Sequence, residues 1–317
     1  MKSLVIEAEE LDPVPSSWLA ARCRVERCGA GEARFGALVA EAEGLIVRSY
    51  TRVDGSLLSR APRLRVVGRA GIALESIDVP ACRARGVEVV HTPGANTRAV
   101  VEYVAALLAD ALRPRVYLDR AVPDEQWHRY RRELVAPRQM DEMTLGIWGF
   151  GRIGSAVARL GAALDMRVIY HELLDIPPEQ RAGAMPVGVD RLLAESDALT
   201  IHVDYRESNR GLLAVDALAR LKPDVLILNT SRGLVVDHAA LADFLRASPR
   251  ATAVIDVHDP GEPIRADHPL LGLPNARLTP HLAACTETAK RNMSWVVRDV
   301  WRVLNGEKPE WPAPTLE

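Results

Sequence analysis

Thr144 to Gly154 reads TLGIWGFGRIG. An apolar run suited to a strand enters a glycine turn and then the start of a helix, with Gly149, Gly151 and Gly154 in G-x-G-x-x-G spacing. Each glycine has its own expected task. Gly149 permits a tight turn, Gly151 lets an anionic group approach the backbone without meeting a Cβ, and Gly154 lets the new helix lie close to its strand. The helix starting at Arg152 and Ile153 would then turn its N–H groups and positive dipole end toward phosphates. Three glycines alone also fit a turn with nothing bound, so the match counts only between a strand and a helix.

The flanks supply that context. Ser155 to Met166, SAVARLGAALDM, has helical apolar spacing, and MRVIYHE returns as a second short strand. It ends at Glu172, about 20 residues past the turn, where a dinucleotide fold carries the acid that takes the adenosine ribose diol. Leu173 and Leu174 follow, and the first arginine after them is Arg181. A carboxylate with no adjacent cation repels a 2′-phosphate, so the expected cofactor is NAD in preference to NADP.

The 317 residues are enough for two domains with substantial cores. Hydrophobic content of 48% with 26% charge sets disorder aside, and a net charge of −2 gives no reason to expect nucleic acid or a membrane surface as partner. No apolar run has the roughly 20 residues of a membrane helix. The start, MKSLVIEAEELDP, turns acidic too early for a signal peptide, so a cytoplasmic protein is expected. Cys23, Cys28, Cys82 and Cys285 form no C-x-x-C pair, and no metal site is expected. Cys285 lies four residues after His281, but nothing nearby in sequence orients the two as a nucleophile and base.

In chain order, LVIEA, CRVERC, GLIVRS, LRVVGRA and VEVVH read as five strands, each separated by roughly a helix length, which predicts a parallel α/β unit. Ligands of such sheets sit outside the carboxyl ends of the strands. Arg48-Ser49, Arg69-Ala70-Gly71 and His91-Thr92-Pro93-Gly94 lie at those ends and suit a small anion. TRAVVEYVAALLADALR, Thr97 to Arg113, predicts a strong helix crossing to a second unit. The arginine-rich stretch from Val116 to Met143, with Trp127 in its midst, is expected to pack on a neighbour or a second subunit. Beyond Glu172, PPEQRAGAMPVGVD reads as loop. DALTIHVD, DVLILNTS, ATAVIDVHD and ARLTPH read as strands, and RGLLAVDALARL and DHAALADFLRA as helices. TAKRNMSWVVRDVWRVLNGE predicts one amphipathic helix that packs back on the first unit.

Three strand ends of the second unit carry chemistry: Arg232 in NTSRG, Glu262 in DVHDPGEP, and His281 in LTPHLA. An arginine can hold an α-carboxylate in a bidentate fork. A histidine passes one proton near neutral pH, and a carboxylate bonded to it raises its pKa and fixes its tautomer. With a nicotinamide, these groups suffice to reduce a 2-keto acid. Singly, each also fits an ordinary loop residue.

NTSRGLVVD, DVHDPGEP, TPH and TLGIWGFGRIG, together with GRAGIALESID, HTPGANTRAVVEY and SDALTIHV, resemble the motif set of the D-isomer-specific 2-hydroxyacid dehydrogenases over nearly the whole chain. The resemblance implies an α/β fold of two Rossmann-like domains with parallel sheets and the active site in the cleft between them, NAD as cofactor, and a homodimer. It implies residues 1–96 and 286–317 as a flavodoxin-like substrate-binding domain and 97–285 as the NAD-binding domain. It maps a catalytic set onto Arg232, Glu262 and His281, a nicotinamide contact onto Asp256, and the loop that grips the substrate carboxylate onto Arg69, Ala70, Gly71 and Ile72. Arg48 and Ser49 join the expected substrate contacts. DVHDPGEP is one residue longer than the usual form, which leaves Asp259 as an alternative partner for His281. Asp204 replaces a common proline, and Ala73 and Glu75-Ser76 depart from the usual substrate loop.

The small anionic substrate implied first is 3-phosphoglycerate, without the C-terminal regulatory extension that some phosphoglycerate dehydrogenases carry. Glyoxylate or hydroxypyruvate reductases and erythronate-4-phosphate dehydrogenases share parts of the pattern. So do NAD-sensing corepressors on the same fold, which turnover would distinguish.

Overall fold

The computed structural model describes residues 2–314, and the expected domain ends at Met1 and 315–317 lie outside them. The chain divides into two compact units, one of Met1–Arg98 with Ala284–Glu317, the other of Ala99–Ala283. The division falls inside the helix Thr97–Leu112.

In the first unit, β1 (Leu4–Glu7), β2 (Arg24–Arg27), β3 (Gly44–Val47), β4 (Val66–Arg69) and β5 (Glu88–Val90) form a parallel sheet in the order β2-β1-β3-β4-β5. This is the flavodoxin-like order. β1, β3 and β4 are buried throughout, as strands covered on both faces must be. One face packs Phe35, Val39, Leu57 and Leu58; the other packs Leu19 with Val296, Val297, Val300 and Leu304 from the chain's C-terminal segment. That segment does return to this unit, but as two helices, Glu287–Ser294 and Val297–Leu304, not the single one its periodicity predicts. The break coincides with Ser294, whose hydroxyl bonds Lys290 O and accepts Asp12 N–H, and with tight turns at Trp295 and Val296.

In the second unit, β6 (Thr144–Trp148), β7 (Arg167–His171), β8 (Met185–Pro186), β9 (Ala198–Ile201), β10 (Leu226–Asn229), β11 (Thr252–Ile255) and β12 (Ala276–Leu278) form a parallel sheet ordered β12-β11-β10-β9-β6-β7-β8. The order reverses beside β6, so the turn after β6 opens at the topological switch point, where ligands of such sheets bind. Two sequence expectations change here. PPEQRAGAMPVGVD is not all loop: it holds β8, and its last residues open a helix, Val189–Glu195. RGLLAVDALARL is helical only over Val215–Leu218; Gly211 takes φ +65° and fully buried Leu213 bridges Val236, which diverts the backbone before the helix starts. The helix Asp124–Glu133 of the arginine-rich stretch buries none of its residues within this chain.

Candidate active site

The glycine turn is built as its spacing requires. Gly149 has φ +93°, and a Cβ there would lie 2.7 Å from the backbone of His202 and Val203. At Gly151, the N-cap of the helix Arg152–Ala163, a Cβ would meet nothing within 4 Å, so the backbone is open to an approaching group. A Cβ on Gly154 would stand 2.1 Å from Gly149 O and 3.2 Å from Ile147 of β6. The close approach therefore involves the turn carbonyl first and the strand second.

Glu172 follows β7 directly. Its Oε2 accepts Phe150 N–H at 2.8 Å and its Oε1 accepts Leu173 N–H at 2.8 Å, so the carboxylate stands beside the glycine turn and helps hold it. His202, next to the turn, bonds Thr200 Oγ1 through Nε2 at 2.9 Å, and burial lowers its pKa to about 3, keeping it neutral.

The second cluster comes from the ends of β10, β11 and β12. Buried Asn229 makes the turn after β10: its Oδ1 accepts Ser231 N–H and Oγ–H, and its Nδ2 donates to Arg232 O. Arg232 follows, its Nη1 donating to Ser231 O at 2.7 Å. A Cβ on Gly233 would lie 2.2 Å from the carbonyl carbon of His258, so the arginine turn rests directly on the loop that carries Glu262. Glu262 reaches His281: Oε2 stands 2.7 Å from Nδ1, while Oε1 accepts His258 N–H at 3.1 Å. The extra residue in DVHDPGEP does not displace it. Asp259 lies toward Arg210, 3.9 Å away, which answers the alternative left open by the sequence.

His281 has φ +55°, an uncommon conformation for a residue with a side chain. Its N–H donates to Asp256 O at 2.9 Å. The carboxylate of Asp256 accepts Thr279 Oγ–H at 2.6 Å, Leu282 N–H at 2.8 Å and Ala283 N–H at 2.9 Å. Asp256 has no exposed surface. Its carboxylate thereby shapes the histidine loop, at the strand end where the sequence places a nicotinamide contact.

The hydrogen bond from Glu262 raises the pKa of His281; burial opposes this, the charges of Glu262 and Asp256 add to it, and Arg232 lowers it. For Glu262, burial is the largest single influence and acts upward, but the bond and charge of His281 with the His258 N–H outweigh it and hold the carboxyl below its ordinary value. Glu262 is thus favoured as carboxylate and His281 as imidazolium, with the Nδ1 side tied and both side chains partly exposed, 49% for His281 and 35% for Glu262.

In the first unit, Arg48 and Ser49 follow β3, and Ala70 to Ile72 follow its neighbour β4, with Ala70 N–H bonded to Val47 O. Arg69 is buried and folds over Gly71, donating from Nη1 to Ala70 O. Ala70 is buried, and Ile72 O lies 3.1 Å from His91 Nδ1. The loop after β3 holds a group the sequence did not single out. Glu9 accepts the backbone N–H groups of Arg48, Ser49, Tyr50 and Thr51. No local signal marks Glu9, because its partners lie about 40 residues away. Asn229 was findable: an Asn two residues before a Ser-Arg-Gly is a turn former. Among the described residues no group of three or more His, Cys, Asp or Glu is arranged to hold a metal ion, and no helix is long and apolar enough to cross a membrane.

A parallel sheet with its glycine turn at the switch point, and an acid at the end of the next strand, define the second unit as a dinucleotide-binding domain. Residues 105–283 match the model of the D-isomer specific 2-hydroxyacid dehydrogenase NAD binding domain. D-3-phosphoglycerate dehydrogenase of Archaeoglobus fulgidus is 35% identical over 258 residues, covering 81% of this chain and 48% of that protein. Glyoxylate reductase of Aeropyrum pernix is 36% identical over 264 residues, covering 82% and 78%. A solved protein structure from Thermus thermophilus superposes with a TM-score of 0.85 at 31% identity, covering 98% of this chain and all of that one. The chain belongs to the D-isomer specific 2-hydroxyacid dehydrogenase family, with NAD as cofactor. It spans about half the length of the phosphoglycerate dehydrogenase it matches.

Proposed function

We propose that the protein interconverts a 2-keto acid and the D-2-hydroxy acid with NAD(H), and that His281, Glu262 and Arg232 carry the chemistry. The observation that supports this most is the 2.7 Å Glu262–His281 pair on the same sheet edge as the Arg232 turn. Open backbone at Gly151 and the acid at Glu172 fit NAD, held by Gly149, Gly151, Arg152, Ile153, Gly154 and Glu172. When bound, the nicotinamide supplies or accepts a hydride at the substrate's α-carbon. His281, protonated on the ring nitrogen opposite Glu262, gives its proton to the carbonyl oxygen in reduction and takes it back in oxidation. Arg232 holds the carboxylate and polarises the neighbouring carbonyl. Asp256 keeps the His281 loop in place. The first unit takes the substrate through Arg48, Ser49 and the backbone of Arg69, Ala70, Gly71 and Ile72.

For the substrate, 3-phosphoglycerate follows from the motif resemblance. Glyoxylate or hydroxypyruvate is the second reading, favoured by coverage: the matched glyoxylate reductase is spanned over 78% of its length, the phosphoglycerate dehydrogenase over 48%. A panel of 2-keto acids, including 3-phosphohydroxypyruvate, hydroxypyruvate and glyoxylate, assayed with NADH decides. No oxidation with any of them overturns the dehydrogenase reading. In the same assay NADPH is expected to serve poorly, because Glu172 follows β7, where such folds take the ribose, and the residues after it, Leu173 and Leu174, bring no cation for a 2′-phosphate; equal kcat/KM with both cofactors would remove that assignment. The protein is further read as a homodimer through the segment holding Val116, Leu118, Trp127 and Leu134, where apolar side chains line a surface recess. Sedimentation of the wild type and Trp127→Asp tests this, a dimer that Asp dissociates being the expected result.

A further inference from the structure

We infer that Glu9 is a positioning residue for substrate selection, fixing the loop 48–51 through its backbone. This rests on the reading that the first unit takes the substrate. Four successive N–H groups converge on one carboxylate: Arg48 at 2.9 Å, Ser49 at 2.8 Å, Tyr50 at 3.2 Å and Thr51 at 2.9 Å. Successive N–H groups turned to one side form an anion-binding nest, and here the protein fills it with its own side chain. Charge-assisted bonds of this kind are the stronger ones. Burial acts to raise the pKa of Glu9, yet the four N–H groups together outweigh it and lower the value, so the carboxylate stays charged at neutral pH.

The placement gives the nest its consequence. Glu9 follows β1, the nest follows β3, and β3 lies between β1 and β4, whose end carries Ala70 to Ile72. Arg48 adds a bond from Nη1 to Glu10 O, so side chain and backbone of the loop are both tied to the residues after β1. With its N–H groups committed, the loop offers an anionic ligand side chains and not backbone donors. Tyr50 is 92% exposed and Thr51 buried, which orients the loop with one side outward. On this reading the loop selects the group a substrate carries beyond the keto carbon. Glyoxylate has only hydrogen there, so it gives the loop nothing to select and serves as an internal reference.

The test measures Glu9→Gln and Glu9→Ala against wild type with glyoxylate and hydroxypyruvate, alongside NADH affinity and thermal unfolding. Expected for Glu9→Ala is a loss of about tenfold in kcat/KM for hydroxypyruvate, carried mainly by KM, with glyoxylate and NADH affinity changed less than about twofold. Glu9→Gln, which keeps one acceptor oxygen, is expected to lie between. Added formate, a carboxylate small enough for the vacated nest, is expected to restore hydroxypyruvate use in Glu9→Ala and not in wild type. An unchanged ratio between the two substrates in both variants overturns the inference, as does an equal loss on both substrates that formate leaves in place. Absence of turnover in the wild type with any 2-keto acid overturns the dehydrogenase reading instead.

Discussion

Each unit has a carboxylate that collects the backbone of a strand-end loop, and the two differ in what the loop carries. Asp256 is fully buried, accepts two N–H groups and a hydroxyl, and shapes the loop of a titratable histidine. Glu9 is only partly buried, accepts four N–H groups, and shapes a loop, Arg48 to Thr51, that contains no histidine. The difference separates two demands. Proton transfer needs a donor held to within fractions of an ångström, and a buried ionic hub with every oxygen engaged provides that. Recognition of a substrate's outer part tolerates a loop near solvent.

The largest expected effect lies on the Asp256 side. His281→Ala should lower kcat by about 10²–10⁴-fold while NADH still binds, since it removes the proton carrier and leaves the glycine turn intact. Fluorescence titration with NADH beside steady-state kinetics checks this, and a near-normal rate would remove His281 from its role. Next comes Glu262→Gln. Glu262 raises the pKa of His281, and keto-acid reduction uses the protonated form, so activity persists to higher pH with the glutamate than without it. The alkaline limb of the reduction profile should therefore move to lower pH in the variant; an unmoved limb means that the group titrating there is not His281.

The smallest effect is on stability. His238, His258 and His268 are buried together behind the Glu262 loop, with ring centroids 5.0–6.2 Å apart. Burial, with the neighbouring histidines, lowers the pKa of His238 to about 4. A histidine whose folded value lies below its unfolded value of about 6.5 favours folding above that pH and loses the contribution as pH falls toward 4. The melting temperature should thus drop between about pH 6.5 and 4, and His238→Leu should flatten the drop. An identical acid profile in the variant would assign it to other groups.

How much was legible in the sequence follows from the range of each interaction. The glycine turn, Glu172 and the TPH histidine were legible from short motifs and their spacing, and the parallel sheets follow from the alternation of apolar runs. The extra residue in DVHDPGEP left two carboxylates in play, because loop length alone does not show which one folds back. The hold of Asp256 on the histidine loop was not legible because its partners, Thr279, Leu282 and Ala283, follow the next strand. Leu213 read as part of a helix because its pairing with Val236 is not local, and Glu9 showed nothing because its partners belong to another strand end.

Gly233 carries a consequence for altering this protein. Because the backbone of residues 258 and 259 occupies the space where a side chain at 233 would stand, the arm bearing Arg232 and the arm bearing Glu262 are one mechanical part. Loop exchange between relatives would have to transplant both arms together. A variant library confined to either would sample mostly misaligned pairs, whatever the chemistry of the residues chosen.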